Sequence, residues 1–401
     1  MSSPISRSST EVPAQTAREL REAVAQCGAP RLLSLDLFRG LTIAGMILVN
    51  NNGNESAAYW PLKHSRWNGW TPTDLVFPFF LFIVGVSMTF SFASRLKRGE
   101  STHQLMAHVA RRAAILFALG IFLNGFPNEY HPATIRIEGV LQRIALCYLF
   151  SALVVLGTGT RGCVAVIAVC LLGYWILMRF VPVPGFGVPT HGIPLLDPDR
   201  NLAAWFDRKL LMGHLYEGTR DPEGLLSTIP AVATTLIGVL TGEWLRSNAG
   251  AWRKMVWMLA LGVAGIVAGE IFGAWFPINK KLWTSSYVLF AGGAALVGLA
   301  LCYAVLDIKK WRGRWAMPAL VFGMNSIVAY AFSEMLAKAL DAWPVHLANG
   351  VATSAQDFVY QRCFAPLATA PNASLIYSLA FVLVCWAVAW LMYRKGVFIK
   401  I

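Results

Sequence analysis

The stretch from residue 62 to residue 87 places polar side chains that can move protons directly before a strongly apolar run. Within it, His64 stands out because a histidine can be neutral near pH 7. It can take a proton from an attacking amine, or it can accept an acyl group itself. The alternative is a histidine at the level of lipid headgroups, between Lys63 and Arg66. The cluster predicts chemistry at a membrane surface, with His64 at its centre.

Asp74 and Asn50 could assist His64, and each has a second interpretation. Residues 71–74 read Thr-Pro-Thr-Asp, which fits an N-cap, a proline at the first helical position and an acidic third position, close to a capping box. The Asp74 carboxylate could instead orient the imidazole of His64. Asn50 could cap the first helix, or donate a hydrogen bond to a developing oxyanion. We therefore treat His64, Asn50 and Asp74 as candidate catalytic residues, with both interpretations open.

Two arginines lie in predicted apolar spans, where an isolated charge is costly unless it is paired or hydrated. Arg143 follows Gly139 by about one helical turn, a depth from which its side chain reaches water only under strain. We expect Arg143 to face a polar partner or an anionic ligand. Arg39, beside Gly40, could receive a phosphate group, or it could anchor the helix end by the positive-inside pattern.

The elements that must position these residues are membrane helices. The chain of 401 residues is 56% hydrophobic and only 14% charged, whereas about a quarter of the residues in a soluble protein are charged. Apolar runs of roughly 20 residues, enough to cross about 30 Å of hydrocarbon, recur from end to end. The sequence predicts an all-α polytopic membrane protein of about ten transmembrane helices. The predicted spans are 33–50, 73–93, 110–126, 138–157, 163–180, 224–243, 255–275, 285–306, 316–338 and a last span that follows residue 372 and ends at Met392.

The net charge of +13 follows the membrane topology rather than a nucleic-acid partner. The basic clusters fall at alternate helix ends, which is the positive-inside pattern, and they share one side if both termini are cytoplasmic. The prediction is a cytoplasmic tail over 1–31 and a transmembrane domain over 32–401. Residues 181–222 form an external loop in this topology, with a short helix at 202–211.

The same topology brings polar groups of several spans to the outer face. A water-filled cavity open to that face would satisfy all of them together. They are Asn50, His64, Arg136, Glu138, Asp221, Glu223, Asn279, Lys280, Lys281 and Trp283.

Signatures of common soluble enzymes do not occur in the chain. No segment matches a P-loop, GxGxxG, HExxH or GxSxG pattern. Nucleotide, zinc and serine-hydrolase chemistry of the soluble type therefore lose support, and we expect no metal.

Six segments in order resemble the heparan-α-glucosaminide N-acetyltransferase family, the lysosomal transmembrane acetyltransferase and its bacterial relatives. Each alone is weak evidence for the resemblance, but their order across the membrane region makes it specific. They are LDLFRG at 35–40, the stretch 63–78 with KH, WNG and DLVFP, GVLQR at 139–143, DPEG at 221–224, PINKKLW at 277–283 and GMNS at 323–326.

The resemblance implies transfer of acetyl from cytoplasmic acetyl-CoA to the amino group of glucosamine or a terminal glucosaminide on the other side of the membrane. It places the active-site histidine on His64 and an assisting asparagine on Asn50. Expected contacts to acetyl-CoA are Arg39, Arg143, Asn279, Lys281, Trp283 and Asn325, and expected contacts to the acceptor are Trp67, Asn68 and Glu223.

We also expect the protein to lie in a bacterial inner membrane and to contact its lipids. A homodimer is one option for its assembly. Two alternatives stay open, an amino-sugar transporter and an O-acetyltransferase acting on a polysaccharide.

Overall fold

The computed structural model describes residues 32–189, 195–346 and 352–399. The predicted tail 1–31 lies outside them. The regular secondary structure of the described residues is helical, apart from one antiparallel pair of short strands, β1 Pro344–His346 and β2 Ala352–Ser354. The helices are α1 Leu33–Asn50, α2 Val76–Lys97, α3 Thr102–Gly125, α4 Val140–Phe180, α5 Leu202–Leu211, α6 Thr228–Arg246, α7 Ala251–Gly273, α8 Ser285–Tyr303, α9 Met317–Met324, α10 Ser326–Ala342, α11 Ala355–Val359 and α12 Ala370–Arg394.

The all-α membrane architecture expected from the sequence is confirmed. Within the described ranges, eight helices are long and apolar enough to cross a membrane, and nine are counted if the bent pair α9–α10 forms one span. Helix α5 coincides with the short helix predicted at 202–211. The protein is therefore an integral membrane protein, while the ten-span count remains a prediction.

Helix α4 is longer than one membrane span requires. Its 41 residues would reach about 60 Å if straight, twice the hydrocarbon thickness. Gly159, with a φ of 67°, interrupts the helical backbone. Both ends of α4 then reach the same segment, because Arg143 stacks on the ring of Trp283 and the Tyr174 hydroxyl donates to the Leu282 carbonyl. The chain therefore changes direction at Gly159, which lies between the predicted spans 138–157 and 163–180.

The ninth predicted span, 316–338, is not one straight helix. The chain bends by 77° between α9 and α10, at Asn325, whose φ of −124° and ψ of 39° leave the helical region. The Asn325 side chain holds the C-terminal segment instead. Its amide donates to the Val397 carbonyl at 3.1 Å and its oxygen accepts from the Ile399 amide at 3.3 Å.

Helices α2 and α6 pack with their backbones in close approach, and this contact fixes the element that carries Asp74. A Cβ atom on Gly85 would lie 1.9 Å from the Thr235 carbonyl oxygen, and one on Gly238 would lie 2.1 Å from the Phe82 carbonyl oxygen. Only glycine fits at such a crossing, and small residues of this kind are the usual means of close helix packing in membranes.

Candidate active site

His64 lies in the loop before α2 and contacts the aspartate that begins that helix. Its Nδ1 atom is 2.8 Å from Asp74 Oδ1. The Asp74 side chain is 1% exposed, whereas the His64 side chain is 44% exposed. The imidazole therefore has one edge fixed against the protein and the other edge open.

The Asp74 carboxylate serves as a cap and as an orienting group at once. Its Oδ2 atom accepts from the backbone amides of Ser65 and Thr71, each at 3.0 Å, and the bond from Thr71 belongs to the capping box of the turn Pro72–Leu75. Its Oδ1 atom accepts from His64. The sequence allowed Asp74 to be a helix cap or the group that orients His64. Both are compatible, because Oδ2 makes the capping bonds and Oδ1 contacts the imidazole.

The Nδ1 atom of His64 has two partners of opposite kind, the Asp74 carboxylate, which only accepts, and the Lys280 ammonium, which only donates. In the tautomer with the proton on Nδ1, the ring donates to Asp74 and Nε2 has a free lone pair. This is the form in which a histidine can act as a base or as a nucleophile.

Lys280 is a third residue of this site. It was not among the candidate catalytic or binding residues predicted from the sequence. Its Nζ atom lies 3.0 Å from His64 Nδ1 and 3.5 Å from Asp74 Oδ1, and its side chain is 19% exposed. Burial lowers the pKa of Lys280, and the negative charge of Asp74 acts in the opposite direction. The sequence placed Lys280 among the polar groups of the outer face, but it did not show which of two consecutive lysines turns towards the histidine.

Lys281, which the sequence assigned to acetyl-CoA, turns the other way. Its Nζ atom donates to Glu217 Oε1 at 2.8 Å and lies 5.9 Å from the centre of the Trp67 ring. Arg220 also lies over that ring, at 5.5 Å. The Trp67 indole donates to the Leu196 carbonyl at 2.6 Å, so this predicted acceptor contact is held in a network of charged side chains.

The loop that carries Lys280 is fastened to the loop that carries His64. The Gly69 amide donates to the Ile278 carbonyl at 2.7 Å, and the Asn279 side-chain amide donates to Asn68 Oδ1 at 3.2 Å. Asn279 is itself fixed, because its Oδ1 accepts from the Leu282 amide at 3.0 Å. In this structure Asn68 and Asn279, predicted to contact acceptor and cofactor, join the two loops of the site.

Arg143 and Trp283 lie behind the site, each 1% exposed. Arg143 donates to the Gly224 carbonyl at 2.9 Å and to the Ser227 hydroxyl, so it has polar partners. Its guanidinium lies 5.1 Å from the centre of the Trp283 ring, and the Trp283 indole donates to Thr234 Oγ1 at 3.1 Å. Protein surrounds both side chains.

Glu223 belongs to an ion-pair cluster in the same region. Arg136 bonds Glu223 at 2.5 Å and Asp221 at 2.6 Å, and these two acids raise the pKa of Arg136 against the lowering effect of burial. Burial also raises the pKa of Asp207 to about 7, and the charge of Asp221 adds to the effect while the Leu225 amide opposes it. This region therefore presents paired acidic groups beside the polar loops.

The other predicted site residues occupy different depths of the bundle. Asn50 is exposed at the last position of α1, and the Asn52 side chain joins this helix end to the Leu62 carbonyl at 3.4 Å. Arg39 lies within the same helix, where it donates to Asp36 at 2.9 Å and to the Ser87 hydroxyl at 2.7 Å. The structure thus brings His64, Asp74, Asn68 and Asn279 together, and leaves Arg39 and Asn325 nearer the opposite helix ends.

Comparison with known proteins supports the family that the six segments indicate. The family model described as heparan-alpha-glucosaminide N-acetyltransferase, catalytic, matches residues 31–269. The human heparan-alpha-glucosaminide N-acetyltransferase is 33% identical over 359 residues, which cover 76% of this chain and 53% of the human protein. The mouse protein of the same name is 33% identical over 361 residues, which cover 77% of this chain and 54% of its own length. The chain spans about half the length of these curated relatives.

Proposed function

The chain belongs to the heparan-alpha-glucosaminide N-acetyltransferase family, and from that premise we propose that it transfers acetyl from acetyl-CoA to the amino group of glucosamine or a terminal glucosaminide. The observation that carries the proposal is the His64–Asp74 pair, with Nδ1 bound to a buried carboxylate and the opposite edge of the ring exposed. Such a ring is prepared to receive a proton or an acyl group at Nε2.

The reaction forms a bond between the acceptor nitrogen and the acetyl carbon and breaks the thioester carbon–sulfur bond. In direct transfer, His64 Nε2 takes the proton that the amine loses and returns it to the departing thiolate of CoA. In the carrier route, Nε2 first receives the acetyl group and CoA leaves as its thiolate. The amine then attacks the acetyl carbon, the bond from that carbon to Nε2 breaks, and the proton that the amine loses balances the charge of the thiolate. Asp74 accepts from Nδ1 in both routes and stabilises the positive charge that develops on the ring. Asn50 would donate to the oxyanion.

The position of Arg39 supports entry of the donor from the basic helix ends on the side of the membrane opposite to His64. Arg39 and Asn50 are eleven positions apart in α1, about 16 Å along the axis. The pantetheine arm of CoA has about thirteen chain atoms, equivalent to about four residues of extended polypeptide or about 15 Å. A phosphate of CoA at Arg39 would therefore place the thioester near the level of Asn50 and His64. The donor would stay on the cytoplasmic side of a bacterial inner membrane while the acetyl group crosses.

On the other side, the acceptor would bind beside the polar loops. Glu223, Trp67 and Asn68 are the contacts that we propose for it, since the acidic cluster around Arg136 suits an amino sugar. The remaining residues predicted to contact acetyl-CoA each hydrogen-bond another protein group in this structure. We propose that they contribute to donor binding by holding the surrounding loops and helices in place. They are Arg143, Asn279, Lys281, Trp283 and Asn325.

The test is acetylation of glucosamine by purified protein and by its His64→Ala variant. The variant should bind acetyl-CoA as the parent does and should produce no N-acetylglucosamine, whereas His131→Ala, an exposed histidine in another loop, should retain activity. Normal turnover by His64→Ala would refute the proposal. Radiolabel retained on the protein without acceptor would identify the carrier route.

Exchange of labelled glucosamine across liposomes without acetyl-CoA would favour an amino-sugar transporter. Transfer to a hydroxyl of a polysaccharide, with none to glucosamine, would favour O-acetylation.

A further inference from the structure

The chain between α8 and α9 forms the wall of a cavity that is open to solvent. The volume of the cavity is about 820 Å³, within the range of pockets that bind small ligands. Its lining residues are Val305, Lys310, Trp311, Arg312, Gly313 and Trp315. We propose that this Trp311–Trp315 cavity binds the adenine nucleotide end of acetyl-CoA. The inference rests on the proposed function and adds a donor subsite beyond the matched range 31–269.

The lining side chains combine stacking surfaces with positive charge. The indoles of Trp311 and Trp315 are 66% and 56% exposed, and a purine base stacks on aromatic side chains of this kind. Lys310 and Arg312 line the same cavity, and both side-chain types bind phosphate oxygens. A nucleotide carries a flat base and phosphates in one unit, so its chemistry matches this lining.

The segment that forms the wall has an excess of positive charge. Residues 304–315 contain four basic side chains and one acidic side chain, which leaves three positive charges in excess. The acid is Asp307, whose Oδ1 lies 3.8 Å from Arg312 Nη2. The bases are Lys309, Lys310, Arg312 and Arg314. Three phosphate groups of CoA would complement this charge.

Hydrogen bonds fix the backbone of the cavity wall. Residues Ala304–Ile308 form a single π-helical turn, a feature that often occurs at functional sites. The Trp311 amide donates to one carbonyl of this turn at 2.9 Å, and Arg312 Nε donates to another at 3.1 Å. Lys310 between them has a φ of 54°, which is uncommon for residues other than glycine. Trp311 and Arg312 are therefore held at the cavity by the local fold.

The distance of the cavity from His64 matches the length of the donor. Helix α8 begins directly after the loop that carries Lys280 and has 19 residues, so its far end, beside the cavity, lies about 28 Å away. In acetyl-CoA, about nine chain atoms join the adenine to the pantetheine arm, which is about 10 Å of extended chain. With about 15 Å for the arm itself, the donor spans about 25 Å. A base in the cavity would therefore bring the thioester close to the level of His64.

Helix α9 connects the cavity to Arg39, the residue proposed above for a phosphate of CoA. The helix begins two positions after Trp315, and the Gly323 carbonyl near its end accepts from Arg39 Nη1 at 3.3 Å. Trp315 and Gly323 are eight positions apart, about 12 Å along the axis. This distance is close to the length of about 10 Å between the base and the start of the arm. One donor molecule can therefore reach both the cavity and Arg39.

Tryptophan beside lysine and arginine is also the usual pattern of anchoring at a membrane interface. Trp252, which precedes Arg253 in the first turn of α7, is 59% exposed and serves as the matched control for that role. The basic segment 95–112 lacks the stacking surface, because it contains no tryptophan, and its Arg95 is paired with Glu100 at 3.0 Å.

The first test needs no turnover. Protein in phosphatidylcholine nanodiscs is titrated with adenosine 3′,5′-bisphosphate, which has the base and two phosphates but no pantetheine arm. The double variant Trp311→Ala/Trp315→Ala should raise the Kd about ten-fold through loss of stacking, and Lys310→Gln/Arg312→Gln should do so through loss of phosphate contacts. Trp311→Phe/Trp315→Phe keeps aromatic rings and should bind within about three-fold of the parent. Trp252→Ala should bind as the parent does.

The second test compares acetyl transfer to glucosamine from acetyl-CoA and from S-acetylpantetheine, which lacks the nucleotide. Trp311→Ala/Trp315→Ala should raise the KM for acetyl-CoA about ten-fold and leave kcat/KM for S-acetylpantetheine at the parental value.

The two tests separate this inference from the proposed function. Bisphosphate binding that depends on Trp311 and Trp315, in a parent that transfers no acetyl group, would refute the function and support the nucleotide site. An unchanged Kd and KM in Trp311→Ala/Trp315→Ala, or an equal loss in Trp252→Ala, would overturn the site. Bisphosphate binding that disappears when the nanodiscs contain phosphatidylglycerol would also overturn it, because a lipid headgroup would then be the occupant.

Discussion

The substitution Asp74→Asn separates the two roles of this side chain. A side-chain oxygen in the position of Oδ2 can still accept from the backbone amides of Ser65 and Thr71. The amide nitrogen then faces His64 Nδ1 and donates to it, whereas the native oxygen accepts. The capping box is kept and the histidine is forced into the tautomer with its proton on Nε2.

The expected magnitudes of the two effects differ. General acid–base catalysis typically contributes 10²–10⁴-fold, so we expect kcat of Asp74→Asn to fall by about 10²–10³-fold, about 3–4 kcal/mol of activation free energy. The loss in stability should be smaller than that of Asp74→Ala, since the amide oxygen keeps the bonds from Ser65 and Thr71 and loses only their charge assistance and the ion pair with Lys280. Asp74→Ala would remove the acceptor of the Ser65 and Thr71 amides, at about 1–3 kcal/mol for the buried Thr71 amide, and should lower the melting temperature further.

The assay is acetylation of glucosamine at saturating acetyl-CoA, with thermal unfolding of the same preparations. Ser65→Ala serves as the control, because its backbone amide still donates to Asp74. If Asp74→Asn retains kcat within about three-fold of the parent, Asp74 is a cap alone and the tautomer argument is wrong.

Three further predictions concern the donor, the packing and the pH dependence. Arg39→Ala should raise the KM for acetyl-CoA about ten-fold or more through loss of a charge-assisted contact, with Arg39→Lys intermediate and the KM for glucosamine unchanged; an unaltered donor KM would remove Arg39 from the path. Gly238→Ala should lower the melting temperature, because its Cβ would lie 2.1 Å from the Phe82 carbonyl oxygen, whereas Gly250→Ala, with open space around it, should not. Asp207 has its pKa raised to about 7, so the folded state binds more protons than the unfolded state between about pH 4 and pH 7, and stability falls as pH rises through this window. Asp207→Asn should therefore melt higher than the parent at pH 8 and equally at pH 4, and an equal gain at both pH values would contradict the assignment.

The sequence predicted the features that depend on local pattern. The N-cap chemistry of residues 71–74 is visible in the residue types alone, and the turn Pro72–Leu75 forms where it is expected. Continuous apolar runs predicted α1 and α8 closely, over 33–50 and from 285. These features follow from hydrophobicity and capping, which act within a few residues.

Features that depend on distant contacts were not predictable in this way. The apolar run over 316–338 continues across the bend, and only the bonds from Asn325 to the C-terminal segment show why the helix stops there. Likewise, adjacent Lys280 and Lys281 are equivalent in sequence. Their opposite orientations come from a loop conformation that Asn279 and Trp283 impose.

The join between Gly69 and Ile278, with Asn68 and Asn279 beside it, ties the loop of His64 to the loop of Lys280. Under the proposed function, a movement that admits a thioester to His64 would leave these two loops joined. The helical backbone is interrupted at Gly159 and at Asn325, so these two positions would bend most easily in such a movement. The geometry around His64 would then stay unchanged while the helices below it move, and that movement would limit the rate of turnover.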